Sequence, residues 1–169
     1  ETAEAMSVRW GNPQLQLVLT WGAGVPVRIS TVVIGLREQP LYALPLVELL
    51  TASGGHVPAS DRLAHTAAGS ELRYVGHRVD EADGWSVLEI VQASESLEVT
   101  VRLEMPAAVA AVRSRVTVVN RGSERIVLRS VPSWNSGFTA ADTDGDVLDG
   151  WARVTGRSDG DWLDRLAAD

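Results

Sequence analysis

The chain has 169 residues, of which 22 are acidic and 15 basic, and its formal net charge is −7 at pH 7. It has no cysteine, which excludes disulfides, a thiolate nucleophile and a cysteine zinc site. The acidic balance argues against nucleic acid or an anionic membrane as the main partner, because both would require clustered positive charge. No apolar stretch approaches the roughly 20 residues that cross a bilayer. We expect a cytoplasmic protein that needs no cofactor.

Apolar residues recur along the chain with a period of two, which is typical of strands with one buried face. In chain order, the pattern predicts strands over residues 15–21, 27–34, 46–50, 72–79, 85–93, 97–105, 112–119 and 125–131. We expect the last two to form a hairpin around the turn at 120–123. The alanine-rich residues 105–111 favour a turn rather than a helix, because they contain Pro106.

The gaps between these strands are too short for crossover helices, which predicts mainly antiparallel sheets. The expected fold is an all-β antiparallel sandwich in a single domain over residues 1–169. Within it, residues 151–169 form a tail leading toward C-terminal parts that are absent from this chain.

Three aspartates, Asp142, Asp144 and Asp146, alternate as in calcium loops. An EF-hand loop would also need glycine at its sixth position and glutamate at its twelfth, so we expect a solvated acidic loop and no metal. The three histidines, His56, His65 and His77, lack zinc-ligand spacing.

Glu48 is embedded in an apolar run, where we expect it to face outward from a strand. Together with His56 or His77 it is also the available candidate for a general acid and base pair. Ser133 lacks the Gly-x-Ser-x-Gly elbow of serine hydrolases.

Arginines alternate along the last two predicted strands, at Arg113, Arg115, Arg125 and Arg129. Paired with acids, they would form an ordinary salt-bridged sheet surface. The alternative is a docking face for another domain or subunit, where arginine is enriched.

The six tryptophans of the chain admit two interpretations. A tryptophan is normally part of a core or interface, but an exposed indole also forms a platform on which sugar rings stack. Trp134 and Trp162 lie at predicted strand ends or in loops and are the better stacking candidates.

Five segments in fixed order resemble the N-terminal domain of bacterial α-galactosidases of glycoside hydrolase family thirty-six. They are Leu72-Arg73-Tyr74 with His77-Arg78, Leu97-Glu98-Val99-Thr100, Val112 to Val116 with Asn120-Arg121-Gly122, Leu128 to Ser133, and Gly150-Trp151-Ala152-Arg153. Residues 6–70 match more loosely, chiefly through Pro45-Leu46-Val47-Glu48.

The resemblance implies a β-supersandwich, similar to galactose mutarotase, that precedes a (β/α)8 barrel carrying both catalytic aspartates of a retaining glycosidase. The barrel's Lys-Trp-Asp nucleophile motif cannot lie in this chain, which has no lysine, so no catalytic residue is assigned here.

The resemblance also implies that the domain packs on its own barrel, helps to build a homo-oligomer and reaches loops toward a neighbouring active-site mouth. The expected contacts with α-galactoside sugars are His56 and Asp61 in the loop at 54–61, together with Trp134 and Trp151.

Two alternatives remain open at this point. One is a mutarotase-like epimerase of free sugars, and the other is a freestanding carbohydrate-binding or interaction sandwich.

Overall fold

The computed structural model describes residues 6–42, 44–55 and 66–137, together with the backbone of two strands nearer the C-terminus. The chain divides into two compact units, Glu1–Gly137 and Phe138–Asp169. The described part of the second unit is an antiparallel pair of strands, β11 (Gly150–Val154) and β12 (Trp162–Leu166).

The first unit contains two four-stranded antiparallel sheets, each a meander in which neighbours in sequence are neighbours in the sheet. The first sheet consists of β1 (Met6–Gly11), β2 (Leu15–Gly22), β3 (Val25–Ile34) and β4 (Arg37–Pro40). The second consists of β6 (Arg73–Ala82), β7 (Trp85–Ala93), β8 (Leu97–Pro106) and β9 (Arg113–Asn120). The expected all-β antiparallel sandwich is confirmed.

Between the two meanders lie a short strand, β5 (Leu50–Thr51), and one helical turn, α1 (Ala67–Glu71). Thr66 caps α1, and its side chain accepts a hydrogen bond from the Gly69 amide. After the second sheet, β10 (Leu128–Ser130) pairs with β5.

The sandwich core forms because the alternating apolar side chains of both sheets face each other. Strand β8 shows this best, with every second side chain buried from Leu97 to Met105. Fully burying an aliphatic side chain of this size contributes about 1.5–3 kcal/mol. The cluster draws on both sheets and on the connecting segment, and its larger members are Trp10, Leu17, Leu19, Trp21, Ile29, Leu46, Leu49, Leu72, Leu88, Ile90, Leu97, Leu103 and Met105.

The predicted hairpin of residues 112–119 with 125–131 is wrong. Strand β9 pairs with β8, whereas β10 pairs with β5. The amides of Arg121 and Gly122 donate to the Ser96 carbonyl in the β7–β8 turn. Within the turn that follows β9, the Asn120 side chain donates to the Glu124 carbonyl and accepts from the Gly122 amide. These hydrogen bonds fix the chain after β9 against the β7–β8 turn, so that it leaves the sheet and does not form a hairpin with β9.

The predicted strand at 46–50 is also mostly absent, since only Leu50 belongs to a strand there. The segment runs through the core instead, with the Leu46 amide donating to the Val27 carbonyl. Its continuous apolar pattern therefore reflects burial on all sides rather than a strand with one exposed face.

Candidate functional site

Trp134 is the sequence-predicted sugar contact whose side chain the structure describes. His56 and Asp61 lie outside the described residues, and Trp151 lies on β11, where the backbone alone is described. The Trp134 side chain is 37% exposed, and its Nε1 donates to Ser136 Oγ at 3.0 Å. Its N–H is therefore used locally, which leaves the ring itself for contact.

The segment that carries Trp134 is fixed to the sandwich. Asn135 donates to the Pro45 carbonyl, and Gly137 packs so closely on Tyr42 that an added Cβ would lie 2.3 Å from the Tyr42 carbonyl oxygen. Among the described contacts of Trp134 there is no carboxylate. Within the described residues, the site therefore offers an aromatic surface and no charged acceptor for hydroxyl groups.

Glu48 does not face outward as expected, because it is 0% exposed. Its Oε2 accepts hydrogen bonds from the backbone amide of Thr66, at 2.8 Å, and from the Thr66 hydroxyl. The same hydroxyl accepts from the Leu49 amide, at 3.2 Å. This carboxylate therefore links the buried segment at 46–50 to the start of α1.

His77, one of the two candidate partners of Glu48 in an acid and base pair, lies in an aromatic group with Trp21 and Tyr74. Tyr74 stacks on Trp21 with ring centres 4.2 Å apart, and its hydroxyl is hydrogen bonded to His77 Nδ1 at 2.8 Å. No hydrogen bond or ion pair joins Glu48 to His77 in the described contacts. The geometry does not bring these two groups together as a catalytic pair.

A cleft of about 320 Å³ opens at one end of the sandwich. The β6–β7 hairpin forms one wall with residues 81–86, residues 11–13 form another, and Ala107 completes the lining. Trp85 lies in this wall and is 36% exposed. The volume is at the lower end of the range for small-molecule sites, about 300–1,000 Å³.

The hairpin wall is held in one conformation by its turn. Asp83 and Gly84 have φ values of 53° and 78°, as required by the two-residue turns that match the twist of paired strands. The Gly84 carbonyl accepts a hydrogen bond of 2.9 Å from the Ala107 amide. The tip of the hairpin is thus attached to the segment that follows β8.

The other walls are joined by a single side chain, that of Asn12. Its Nδ2 donates to the carbonyls of Pro106 and Val109, and its Oδ1 accepts from the amides of Gln14 and Leu15. These bonds use the two donors and two acceptor positions of the amide. Nearby, Trp10 Nε1 donates to Ser86 Oγ at 2.9 Å. The cleft is a preformed feature of the fold.

The charged residues that line the cleft are acidic, and their carboxylates can only accept hydrogen bonds. Glu81 and Asp83 line it and make no side-chain hydrogen bond or ion pair with the described residues.

The Arg113 guanidinium lies over the Trp85 ring, 5.1 Å from the ring centre. Arg113 is itself paired with Glu104 at 2.7 Å, so its positive charge is balanced locally.

Arg113 belongs to a row of ion pairs across the outer face of the second sheet. Arg78 and Arg102 both donate to Glu89, and Arg102 and Arg113 both donate to Glu104, at 2.6–2.9 Å. Hydrogen bonds from Arg78 and then Arg102 lower the pKa of Glu89, and those from Arg113 and then Arg102 lower the pKa of Glu104. Of the four arginines expected to form a salt-bridged surface, Arg113 belongs to this row, whereas Arg115, Arg125 and Arg129 make no ion pair with described residues. The two glutamates are held ionised.

Sequence reasoning missed the cleft. The available signal was the Asp83-Gly84 pair between two alternating runs, a strong hairpin indicator, followed directly by Trp85. The pattern predicts the hairpin but not what faces it, since Asn12 and Ala107 come from distant parts of the chain.

In the described ranges, no group of three or more histidine, aspartate or glutamate side chains could hold a metal ion. The described residues contain no helix that is long and apolar enough to cross a membrane. Comparisons with models of protein families, with curated proteins and with solved structures found no match to this chain.

Proposed function

We propose that this chain is the noncatalytic N-terminal sandwich of an α-galactosidase that hydrolyses terminal α-galactosides of the melibiose and raffinose class. In this role it supports the packing of a (β/α)8 catalytic barrel and the assembly of a homo-oligomer. The proposal includes a galactose-mutarotase-like supersandwich, of which the two meanders are a part.

The main support is the order of the resembling segments on the fold. The first lies on β6, the second on β8 and the third on β9 with its following turn, so that three of the five fall within one sheet. The fourth begins with β10 and the fifth with β11. A resemblance whose segments begin on strands in chain order is better support than the same letters scattered over unrelated loops.

Three carboxylates of the sandwich, those of Glu48, Glu89 and Glu104, are shielded in a way that fits a noncatalytic role. Glycosidic cleavage of the ordinary kind requires one carboxylic acid and one carboxylate flanking the bond. Glu89 and Glu104 are each held by two arginines, and Glu48 is buried against Thr66. Each of these groups has a structural bonding role that does not suit proton transfer to a substrate.

The decisive experiment begins with the coding sequence downstream of Asp169. The proposal expects an open reading frame that continues into alternating strand and helix patterns with a Lys-Trp-Asp motif. A stop codon at that point would contradict it.

The second arm is enzymatic. Residues 1–169 alone should not hydrolyse an aryl α-galactoside, whereas the longer protein should do so. In the longer protein, removal of the sandwich should change the sedimentation coefficient as the oligomer dissociates. Turnover by residues 1–169 alone, or an oligomer unaffected by the removal, would count against the proposed role.

A further inference from the structure

We infer that the free edge of the second sheet, at β9, binds an extended acidic segment of another protein by adding it to the sheet as a further strand. The added strand alternates apolar side chains toward the core with carboxylates toward the outer face. In this mode of recognition, main-chain hydrogen bonds supply affinity and the alternating side chains supply specificity. The inference rests on β9 alone and is independent of the proposed catalytic barrel.

The backbone groups on one side of β9 are unused. The Arg121 amide donates to the Ser96 carbonyl, and the pairing of β9 with β8 continues from that bond in unbroken antiparallel register. Because hydrogen-bonded positions alternate in such a pair, the odd-numbered residues of β9 bond to β8. The N–H and C=O groups of Ser114, Val116 and Val118 therefore point away from β8, and they make no backbone hydrogen bond elsewhere in the described chain.

Strand β9 also lacks features by which many sheet edges avoid pairing, namely prolines, bulges and inward-pointing charges. It has no proline and its register on β8 has no shift, whereas β6, at the opposite edge, has a shift between Tyr74 and Gly76. On the side facing the core, its side chains are Ser114, Val116 and Val118, all half-buried. An added strand would cover the two valines, which already pack against the core.

The charges on the outer face of β9 select an acidic partner. Arg113 and Arg115 alternate there, and the Arg115 side chain has no ion pair with described residues. Arg113 is paired with Glu104 on the β8 side, yet its side chain is 60% exposed. Residues opposite these arginines on an added strand would form non-hydrogen-bonded pairs, in which side chains lie closest. Carboxylates at these positions would continue the row of ion pairs beyond β9.

A second copy of the chain is the main competing occupant, since two β9 strands could pair with each other. Such a pair would place two rows of arginine on one face, and like charges close together across strands are destabilising. The net charge of −7 opposes either occupant at long range. At about 0.15 M salt, however, exposed charges more than about 8 Å apart are largely screened, so the local arginines decide.

The test is a titration of residues 1–169 with the hexapeptide Val-Thr-Val-Glu-Val-Glu, blocked at both ends, at about 0.15 M salt. In antiparallel alignment its glutamates lie opposite Arg113 and Arg115, and its valines lie opposite Ser114, Val116 and Val118. We expect saturable shifts of the Val116 and Val118 amides in nuclear magnetic resonance, with a dissociation constant of about 0.1–1 mM. Hydrogen exchange of both amides should slow about tenfold at saturation.

Matched peptides separate strand addition from general charge attraction. Lysine in place of both glutamates should weaken binding about tenfold or more. N-methylation of the three valines removes the N–H groups that face β9 and should abolish binding. N-methylation of the two glutamates removes only N–H groups that face away from β9 and should preserve it.

Charge reversal on the protein provides the complementary test. Arg115→Glu should weaken binding of the acidic peptide about tenfold and strengthen binding of the lysine peptide. The fold should tolerate this change, because Arg115 is exposed and lies opposite Arg102. The matched control is Arg125→Glu, at an exposed arginine outside the strands that has no ion pair with described residues. It should leave both affinities unchanged.

The inference is overturned if the acidic and lysine peptides bind equally, if the position of N-methylation makes no difference, or if Arg125→Glu weakens binding as much as Arg115→Glu. It is also overturned if the Val116 and Val118 amides are already protected from exchange in the chain alone, or if the chain dimerises through β9 in sedimentation. In both cases the edge has another occupant. Absence of any shift at about 5 mM acidic peptide, well above the expected dissociation constant, overturns it as well.

Discussion

Arg102 and Arg115 lie directly opposite each other on β8 and β9, yet their surroundings differ. Arg102 donates to both Glu89 and Glu104, at 2.6 and 2.9 Å. Arg115 is exposed, and its side chain makes no hydrogen bond or ion pair with any residue that the structure describes. Like charges placed opposite each other across two strands are destabilising. Glu89 and Glu104 offset this repulsion at Arg102, whereas the Arg115 side chain has no such partner among the described residues.

Replacing the two arginines should therefore have opposite effects. Arg102→Gln leaves two largely shielded carboxylates with one partner each, and we expect a measurable loss in the free energy of unfolding. Arg115→Gln removes only the repulsion and should be neutral or stabilising by up to about 0.5 kcal/mol. Urea denaturation at low salt measures both. A larger loss for Arg115→Gln than for Arg102→Gln would contradict this assignment.

The stability of the chain should fall in acid partly through Glu89 and Glu104. Their folded pKa values lie below the ordinary glutamate value of 4.5, so the unfolded chain binds these protons at higher pH than the folded one. Their stabilisation is thus present above about pH 4.5 and is lost as the pH falls through the lower, folded pKa values. The double variant Glu89→Gln with Glu104→Gln should show a shallower decline in thermal midpoint from pH 5 to about pH 3. Equal slopes would refute the linkage.

Gly69 should not tolerate alanine. In an ordinary helix, glycine to alanine gains about 1 kcal/mol. At Gly69, however, a Cβ would lie 2.6 Å from the Val47 carbonyl oxygen and 2.7 Å from both Glu48 Oε2 and Thr66 Oγ1. We expect Gly69→Ala to destabilise the fold by about 1–3 kcal/mol, measured by thermal denaturation.

Gly76→Ala is the matched control for that substitution. Gly76 has no atom within 4 Å of the added Cβ and does not have a positive φ. Alanine should therefore be neutral there or should stabilise the fold by up to about 1 kcal/mol, through the reduced entropy of the unfolded chain. Similar losses at both positions would show that the crowding at Gly69 is not the cause.

Asn12 should contribute more to stability than its exposed counterpart Asn120. Asn12→Ala removes four hydrogen bonds at a position that is 6% exposed, and we expect a loss of about 2–4 kcal/mol. Asn12→Asp keeps the acceptor oxygen but places a second carboxylate oxygen against the Pro106 and Val109 carbonyls, so a loss at least as large as that of Asn12→Ala is expected. Asn120→Ala, at an exposed turn, should cost less than about 1 kcal/mol. Denaturant titrations of the three variants would establish the order.

Local pattern was sufficient to predict much of the fold. Alternation along β2 and β8 specified the buried face of each strand, and Pro106 correctly marked the end of β8. What the pattern could not supply was the partner of each strand. The run at 125–131 alternates as well as any other, but its pairing with β5 depends on hydrogen bonds to the distant Ser96 carbonyl.

The candidate site was less accessible to sequence reasoning for the same physical reason. The cleft depends on what lies opposite the hairpin, and Asn12 reaches Val109 across 97 positions of sequence. Glu48 could not be recognised as buried, since its hydrogen-bonding partner Thr66 lies 18 residues away. The spacing of residues in the sequence does not show which distant side chains come into contact, unless a known motif links them.

The division into two meanders has a consequence for how the chain folds. Within each sheet every strand pairs with its sequence neighbour, so each can form by closing short loops at small entropic cost. The contacts that join the sheets span far more sequence, 76 residues for Trp10 with Ser86 and 94 for Asn12 with Pro106. We therefore expect each meander to acquire strand structure early, with docking of the sheets and formation of the cleft as the slower step.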